Sequence, residues 1–87
     1  MRAKHKKVLE AIFSDPVRSN IIWKDVENLL EHLGADIEEG AGSRVCIELN
    51  VIIAVFHRPH PRKETDKGAV KSLRKYLIEA GVDDVGI

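Results

Sequence analysis

The chain carries a single cysteine, Cys46, among 87 residues. One thiol excludes an internal disulfide and any zinc ribbon built on cysteine pairs, so a reducing compartment is expected. Long apolar runs are missing too: the longest, residues 51–56, is six residues. That is too short for a membrane span or for the apolar stretch of a secretory leader, and a cytoplasmic protein without a membrane partner is expected. Internal repeats and low-complexity linkers are absent. With 44% hydrophobic side chains, residues 1–87 suffice for one small core and exclude a self-contained multidomain enzyme.

Net charge is also lacking, because 14 Lys and Arg balance 14 Asp and Glu. The balance is a cancellation between segments. Residues 1–7 sum to +4, residues 8–39 to −6, residues 57–75 to +5 and residues 76–87 to −3. Two basic segments therefore flank an acidic one.

Val8, Leu9, Ile12 and Phe13 mark one face of a first helix over residues 4–13, which stops ahead of Pro16. Val26, Leu29, Leu30 and Leu33 repeat at helical spacing from Trp23 onward, with Asp25, Glu27 and Glu31 expected to turn outward and Gly34 to close the helix. The period then becomes two. Val45, Ile47 and Leu49 alternate with Arg44, Cys46 and Glu48 as a strand with one apolar face, preceded by a shorter strand over residues 35–39. Residues 51–56 are apolar on both faces, which suits a strand covered on both sides or the middle of a small sheet. The Asn50-Val51 connection is a poor two-residue hairpin loop, since valine resists positive φ. Residues 57–61 contain two prolines and read as an extended loop. Thr65 or Asp66 is placed to cap a last helix with Val70, Leu73, Leu77 and Ala80 inside, ended by Gly81. The expected fold is α+β, in the order α-α-β-β-β-α.

Lys67, Lys71, Arg74 and Lys75 fall on one stripe of the last helix, next to a loop bearing Arg58, Arg62 and Lys63. Like charges at this spacing repel by about 0.2–0.5 kcal/mol per pair. An anionic partner would relieve that repulsion, and RNA phosphate is the natural one; a plain solvated helix face is the bland alternative. His57 leaves a strand beside this patch, and His60 follows three residues later. Histidine titrates near neutrality, so either is a candidate general base on a ribose 2′-OH, although for either alone a loop histidine that only contacts phosphate or a carbonyl is the commoner case. Two histidines separated by proline make a weak metal site. Gly40-Ala41-Gly42-Ser43 joins two strands and opens no helix, which dismisses a phosphate-binding loop. Trp23 is expected to pack at a helix start, Cys46 to fill a sheet position, and His5 and His32 to lie exposed on helices.

The run Leu29-Leu30-Glu31-His32-Leu33-Gly34-Ala35, then Gly42-Ser43-Arg44, then residues 50–57 and the closing Leu73-Arg74-Lys75-Tyr76-Leu77-Ile78-Glu79-Ala80-Gly81-Val82 resembles the HicA family of toxins over residues 20–82. The resemblance implies a fold like that of double-stranded-RNA-binding domains: a three-stranded antiparallel sheet packed on helices, here with residues 1–15 as an added N-terminal helix. It also implies a small mRNA interferase that binds and cuts RNA without a metal or other cofactor and is neutralised by a HicB-like antitoxin protein. One position departs from the family. After the Gly-Ser pair the family usually carries the histidine associated with catalysis, and here Arg44 stands there. Arginine remains protonated, so it can hold phosphate or stabilise a charged transition state but is no ordinary general base. The expectation is therefore His57, with His60 second, as base and Arg44 on the scissile phosphate. Arg44, Arg58, His60, Arg62, Lys63, Lys67 and Lys71 are the expected RNA contacts. The alternative is a catalytically inactive module of the same fold that binds RNA or pairs with the antitoxin. In either case the acidic segment Asp36, Glu38 and Glu39 is expected to point away from RNA or meet a partner.

Overall fold

Apolar stripes at helical and strand spacing converge on one shared core. The computed structural model describes residues 2–82. The two ends of the expected 1–87 unit, residue 1 and residues 83–87, lie outside the described residues. The chain runs α1 (Ala3–Ile12), β1 (Ile21–Ile22), α2 (Trp23–His32), β2 (Asp36–Glu39), β3 (Arg44–Leu49), β4 (Ile52–His57), β5 (Glu64–Thr65) and α3 (Lys67–Glu79). The three helices and the antiparallel sheet β2-β3-β4 reproduce the expected α+β order. A second pairing, two residues long, joins β1 to β5 with Ile21 opposite Thr65.

Each helix buries the stripe its spacing marks. Val8, Leu9 and Ile12 of α1, Val26, Leu29 and Leu30 of α2, and Val70, Leu73 and Leu77 of α3 meet Val45, Ile47 and Leu49 of β3. Each fully buried aliphatic side chain contributes roughly 1.5–3 kcal/mol. Trp23, Phe56 and Tyr76 continue the core as a line of rings with successive centroids 6.0 Å apart. The Tyr76 hydroxyl points at the Ile52 carbonyl (2.7 Å) and the Ile47 carbonyl (3.2 Å), which ties α3 to β3 and β4. The ends follow from capping. The Asp66 carboxylate accepts from the Ala69 N–H at 2.7 Å at the start of α3. Gly34 and Gly81 supply the positive φ that turns the chain away after α2 and α3.

Four expectations need correction. β4 is neither central nor covered on both sides: it is an edge strand, with Ile53 61% and Val55 54% exposed. β3 takes the middle because hairpins join it to both neighbours. Glu27 does not turn outward; it is 6% exposed and faces Arg58 and the Trp23 indole. Arg74 leaves the exposed stripe, its guanidinium donating to the Ile12 and Ser14 carbonyls at the end of α1. The hairpin turn is a regular two-residue one after all. Asn50 and Val51 both have positive φ, 52° and 62°, and the Asn50 amide donates to the Ala80 carbonyl at 2.7 Å. His5 and His32, whose spacing implies no relationship, lie with ring centroids 4.6 Å apart and ring planes tilted by 40°. Burial, followed by the neighbouring charges of His32 and Arg2, holds the His5 imidazole below its ordinary range.

Candidate nucleic-acid interface and active site

β3 and β4 bring together the two residues singled out for chemistry. Arg44 and His57 are register partners on adjacent antiparallel strands. Partners point to the same face of a sheet, and both residues are exposed. The Arg58 N–H donates to the Ser43 carbonyl at 2.8 Å just beyond the pair. This bond makes Arg44 and His57 a non-hydrogen-bonded pair, the arrangement that holds opposed side chains closer, with Cα atoms about 4.5 Å apart. On the other flank the Gly40 N–H donates to the Arg44 carbonyl at 2.8 Å. A Cβ on Gly40 would lie 3.5 Å from the Arg44 stem, so the arginine lies beside a residue with no side chain of its own. Arg44 thus has histidine on one side and open backbone on the other.

The basic residues divide into three environments. Arg58, expected on phosphate, is committed within the protein. Its Nε donates to Glu27 Oε2 at 2.7 Å, Nη2 donates to Glu27 Oε1 at 3.2 Å, and Nη1 donates to Glu39. These carboxylates, Glu27 first and Glu39 second, raise the Arg58 guanidinium above its ordinary range. Burial pushes the Glu27 carboxyl up, but the Arg58 and Trp23 hydrogen bonds outweigh it and leave the carboxyl below its ordinary value. Arg62 and Lys63 line a groove with Lys24, Pro59 and Pro61, and the Trp23 backbone N–H donates to the Lys63 carbonyl at 3.0 Å. Lys24 was not legible as a site residue, because nothing in its spacing links the start of α2 to the loop after β4. Lys71 lies in a separate groove with Val17, Lys75 and Ile78, and Lys67 stands exposed at the first turn of α3. His60 is exposed in the loop after β4.

The acidic segment does not all turn away. Register places Asp36 opposite Glu48 and Glu38 opposite Cys46, so both acids share the outward face with Arg44 and His57, while Glu39 binds Arg58. The sheet's outward face is therefore polarised, acidic at the Asp36–Glu48 end and basic at the Arg44–His57 end. Among the described residues no group of three or more His, Cys, Asp or Glu gathers to hold a metal ion. Among the described residues no helix is long and apolar enough to cross a membrane.

A family model described as HicA toxin of bacterial toxin-antitoxin matches residues 23–82. The chain belongs to the HicA toxin family. The match begins at α2 and ends just after α3, so it takes in the whole three-stranded sheet and the Arg44–His57 pair, and α1 lies outside it. A second similarity is to the phosphate import ATP-binding protein PstB of Mycoplasma mobile, 27% identical over 77 residues, which is 86% of this chain and 27% of that protein. The chain thus spans about a quarter of the length of that curated relative. The glycine-containing run at residues 40–43 joins β2 to β3 and precedes no helix. No solved structure gives a significant match.

Proposed function

We propose that this HicA toxin is an mRNA interferase whose cleavage centre is the Arg44–His57 pair. The observation that carries the reading is their cross-strand register on an open sheet face, which sets a potential base and a permanent cation side by side. His57 takes the proton of a ribose 2′-OH. The 2′-oxygen attacks the adjacent phosphorus, and the bond to the 5′-oxygen breaks as that oxygen leaves with a proton from solvent. Arg44 donates to the phosphoryl oxygens while negative charge grows on them. The products are a 2′,3′-cyclic phosphate and a 5′-hydroxyl, and DNA, lacking the nucleophile, is not cut. Arg62, Lys63, Lys67 and Lys71 hold flanking phosphates, with His60 beside them and Lys24 joining from α2. Arg58 acts at one remove, since its bonds to Glu27 and Glu39 fix the loop that carries Arg62 and Lys63. A HicB-like antitoxin neutralises the toxin by covering this face.

Arginine at the position where the family resemblance implies histidine favours a second reading, an RNA-binding or antitoxin-pairing module that does not cut. One experiment separates the two. A labelled RNA is incubated in EDTA with wild type, Arg44→Ala and His57→Ala, and the product ends are mapped. Cleavage to cyclic-phosphate ends that is lost in His57→Ala supports the interferase. Binding without cleavage in every sample selects the module, and 5′-phosphate products overturn the proposed step.

A further inference from the structure

The two edges of the sheet are protected very differently. β2 carries Asp36, Glu38 and Glu39 in four residues, the charged blunting that keeps a free edge from pairing. β4 has no charge, proline or bulge from Ile52 to Phe56. Its outward side chains Ile53 and Val55 are more than half exposed, and Val51 at the turn is 84% exposed. The Arg44–His57 pair fixes which backbone groups are free. Since it is non-hydrogen-bonded, the ladder bonds to β3 fall on Phe56, Ala54 and Ile52, and the N–H and C=O groups of Ile53, Val55 and His57 point to the open edge. Beneath that edge lies a groove lined by Ala54, Phe56, Ser72, Tyr76, Lys75 and Glu79. Among the described residues neither Lys75 nor Glu79 has an ion-pair partner.

The geometry points to a second copy of this chain as the occupant of the β4 edge, paired antiparallel about a two-fold axis at Ala54. Only a register with an even residue sum keeps the same face outward in both copies. The axis at Ala54 sets Ile53 opposite Val55 of the other copy, twice, so the free amides make two hydrogen-bonded pairs and the exposed apolar side chains cover one another. The groove rim presents one charge of each sign, Lys75 and Glu79, without an ion-pair partner among the described residues, so a two-fold copy meets it with the complementary charges. A six-stranded sheet results, its two acidic β2 strands outermost. The two His57 residues then lie on one face, about 20 Å apart along the strands at the usual rise of ~3.4 Å per residue. This pairing is independent of whether RNA is cut.

The test is the mass of the full chain in solution by analytical ultracentrifugation across a concentration series. Wild type is expected at twice the monomer mass and Val55→Lys at the monomer mass, with circular dichroism melting to check that the variant folds. Lys75→Glu, away from the strand, is expected to shift the equilibrium toward monomer, and Lys75→Glu with Glu79→Lys to restore the dimer. A monomeric wild type, a dimer indifferent to Val55→Lys, or a double swap that fails to restore pairing overturns the proposal. So does a monomeric toxin whose Val55→Lys variant instead loses a HicB-like partner, since the edge then belongs to the antitoxin.

Discussion

Arg58 and Glu27, 31 residues apart, meet in a two-point fork in which Nε and Nη2 donate to the two carboxylate oxygens at 2.7 and 3.2 Å. Glu27 is almost wholly buried and also accepts from the Trp23 indole N–H. The fork therefore ties the loop after β4 to α2 and sets the posture of the groove containing Lys24, Arg62 and Lys63.

Glu27→Gln removes the carboxylate charge and leaves Arg58 facing a neutral amide. Loss of charge-assisted hydrogen bonds predicts a stability decrease of roughly 1–3 kcal/mol, toward the low end because the Arg58 side chain is 34% exposed and solvent screens the pair. The sign of the pH dependence follows from the lowered Glu27 carboxyl. Its contribution is complete above the unfolded value of about 4.5 and is lost as pH falls through the lower folded value. Wild type should thus lose melting temperature below that point more steeply than Glu27→Gln. Parallel melting curves for the two proteins on acidification would sink this assignment.

Val51 sits at φ 62° in the β3–β4 turn, where a β-branched residue is strained and glycine is not. A left-handed residue costs about 1–2 kcal/mol when it carries a Cβ, and glycine returns part of that gain through its greater freedom in the unfolded chain. Val51→Gly is expected to raise stability by about 0.5–1 kcal/mol, read as a melting midpoint higher by a few degrees. The neighbouring Asn50 must be left in place, because its amide bond to the Ala80 carbonyl pins the turn to the end of α3.

What the sequence made legible depended on repetition. α2, α3 and β3 each repeat their period over several residues, and the stripes Val26-Leu29-Leu30, Val70-Leu73-Leu77 and Val45-Ile47-Leu49 are the ones the fold buries. β1 and β5 are two residues each, too short to show any period. β4 misled for a different reason. An apolar run on both faces reads the same whether a second layer, another chain or solvent meets the outer face, and only the strand order distinguishes them. The Arg44–His57 register rests on a regular turn at Asn50-Val51 that valine's resistance to positive φ argued against, and the division of the cations was not legible either. Spacing cannot tell an arginine held by buried Glu27 from one left to solvent, so Arg58 and Arg74 read like Arg62 and Lys63.

Thr65 is 1% exposed, and its hydroxyl has no hydrogen-bond partner among the described residues. A buried hydroxyl without a partner costs about 1–3 kcal/mol. Thr65→Val keeps the branched shape and removes the polar atom, while β5 and its pairing with Ile21 keep their backbone bonds. The variant is expected to be at least as stable as wild type, by up to about 1 kcal/mol in chemical denaturation. A clear loss of stability would show that the hydroxyl is satisfied in solution.

With RNA phosphates on the groove formed by Lys24, Arg62 and Lys63, the exposed cations and the committed one respond differently to removal. Lys24→Ala and Lys63→Ala each take away one phosphate contact, so each should lower affinity similarly for unrelated sequences. Each should also reduce the slope of log affinity against log salt by about 0.7–1. Neither touches the core, and their melting temperatures should match wild type. Arg58→Ala frees Glu27 and Glu39 from their shared partner and should lower the melting temperature. Its effect on RNA should come through the posture of the loop, with little change in salt slope. Fluorescence anisotropy with a labelled RNA over a salt series, set beside melting curves for the same three variants, reads both quantities. A salt slope lowered by Arg58→Ala and unchanged by Lys24→Ala and Lys63→Ala would move the phosphate site to Arg58 and remove the groove from the interface.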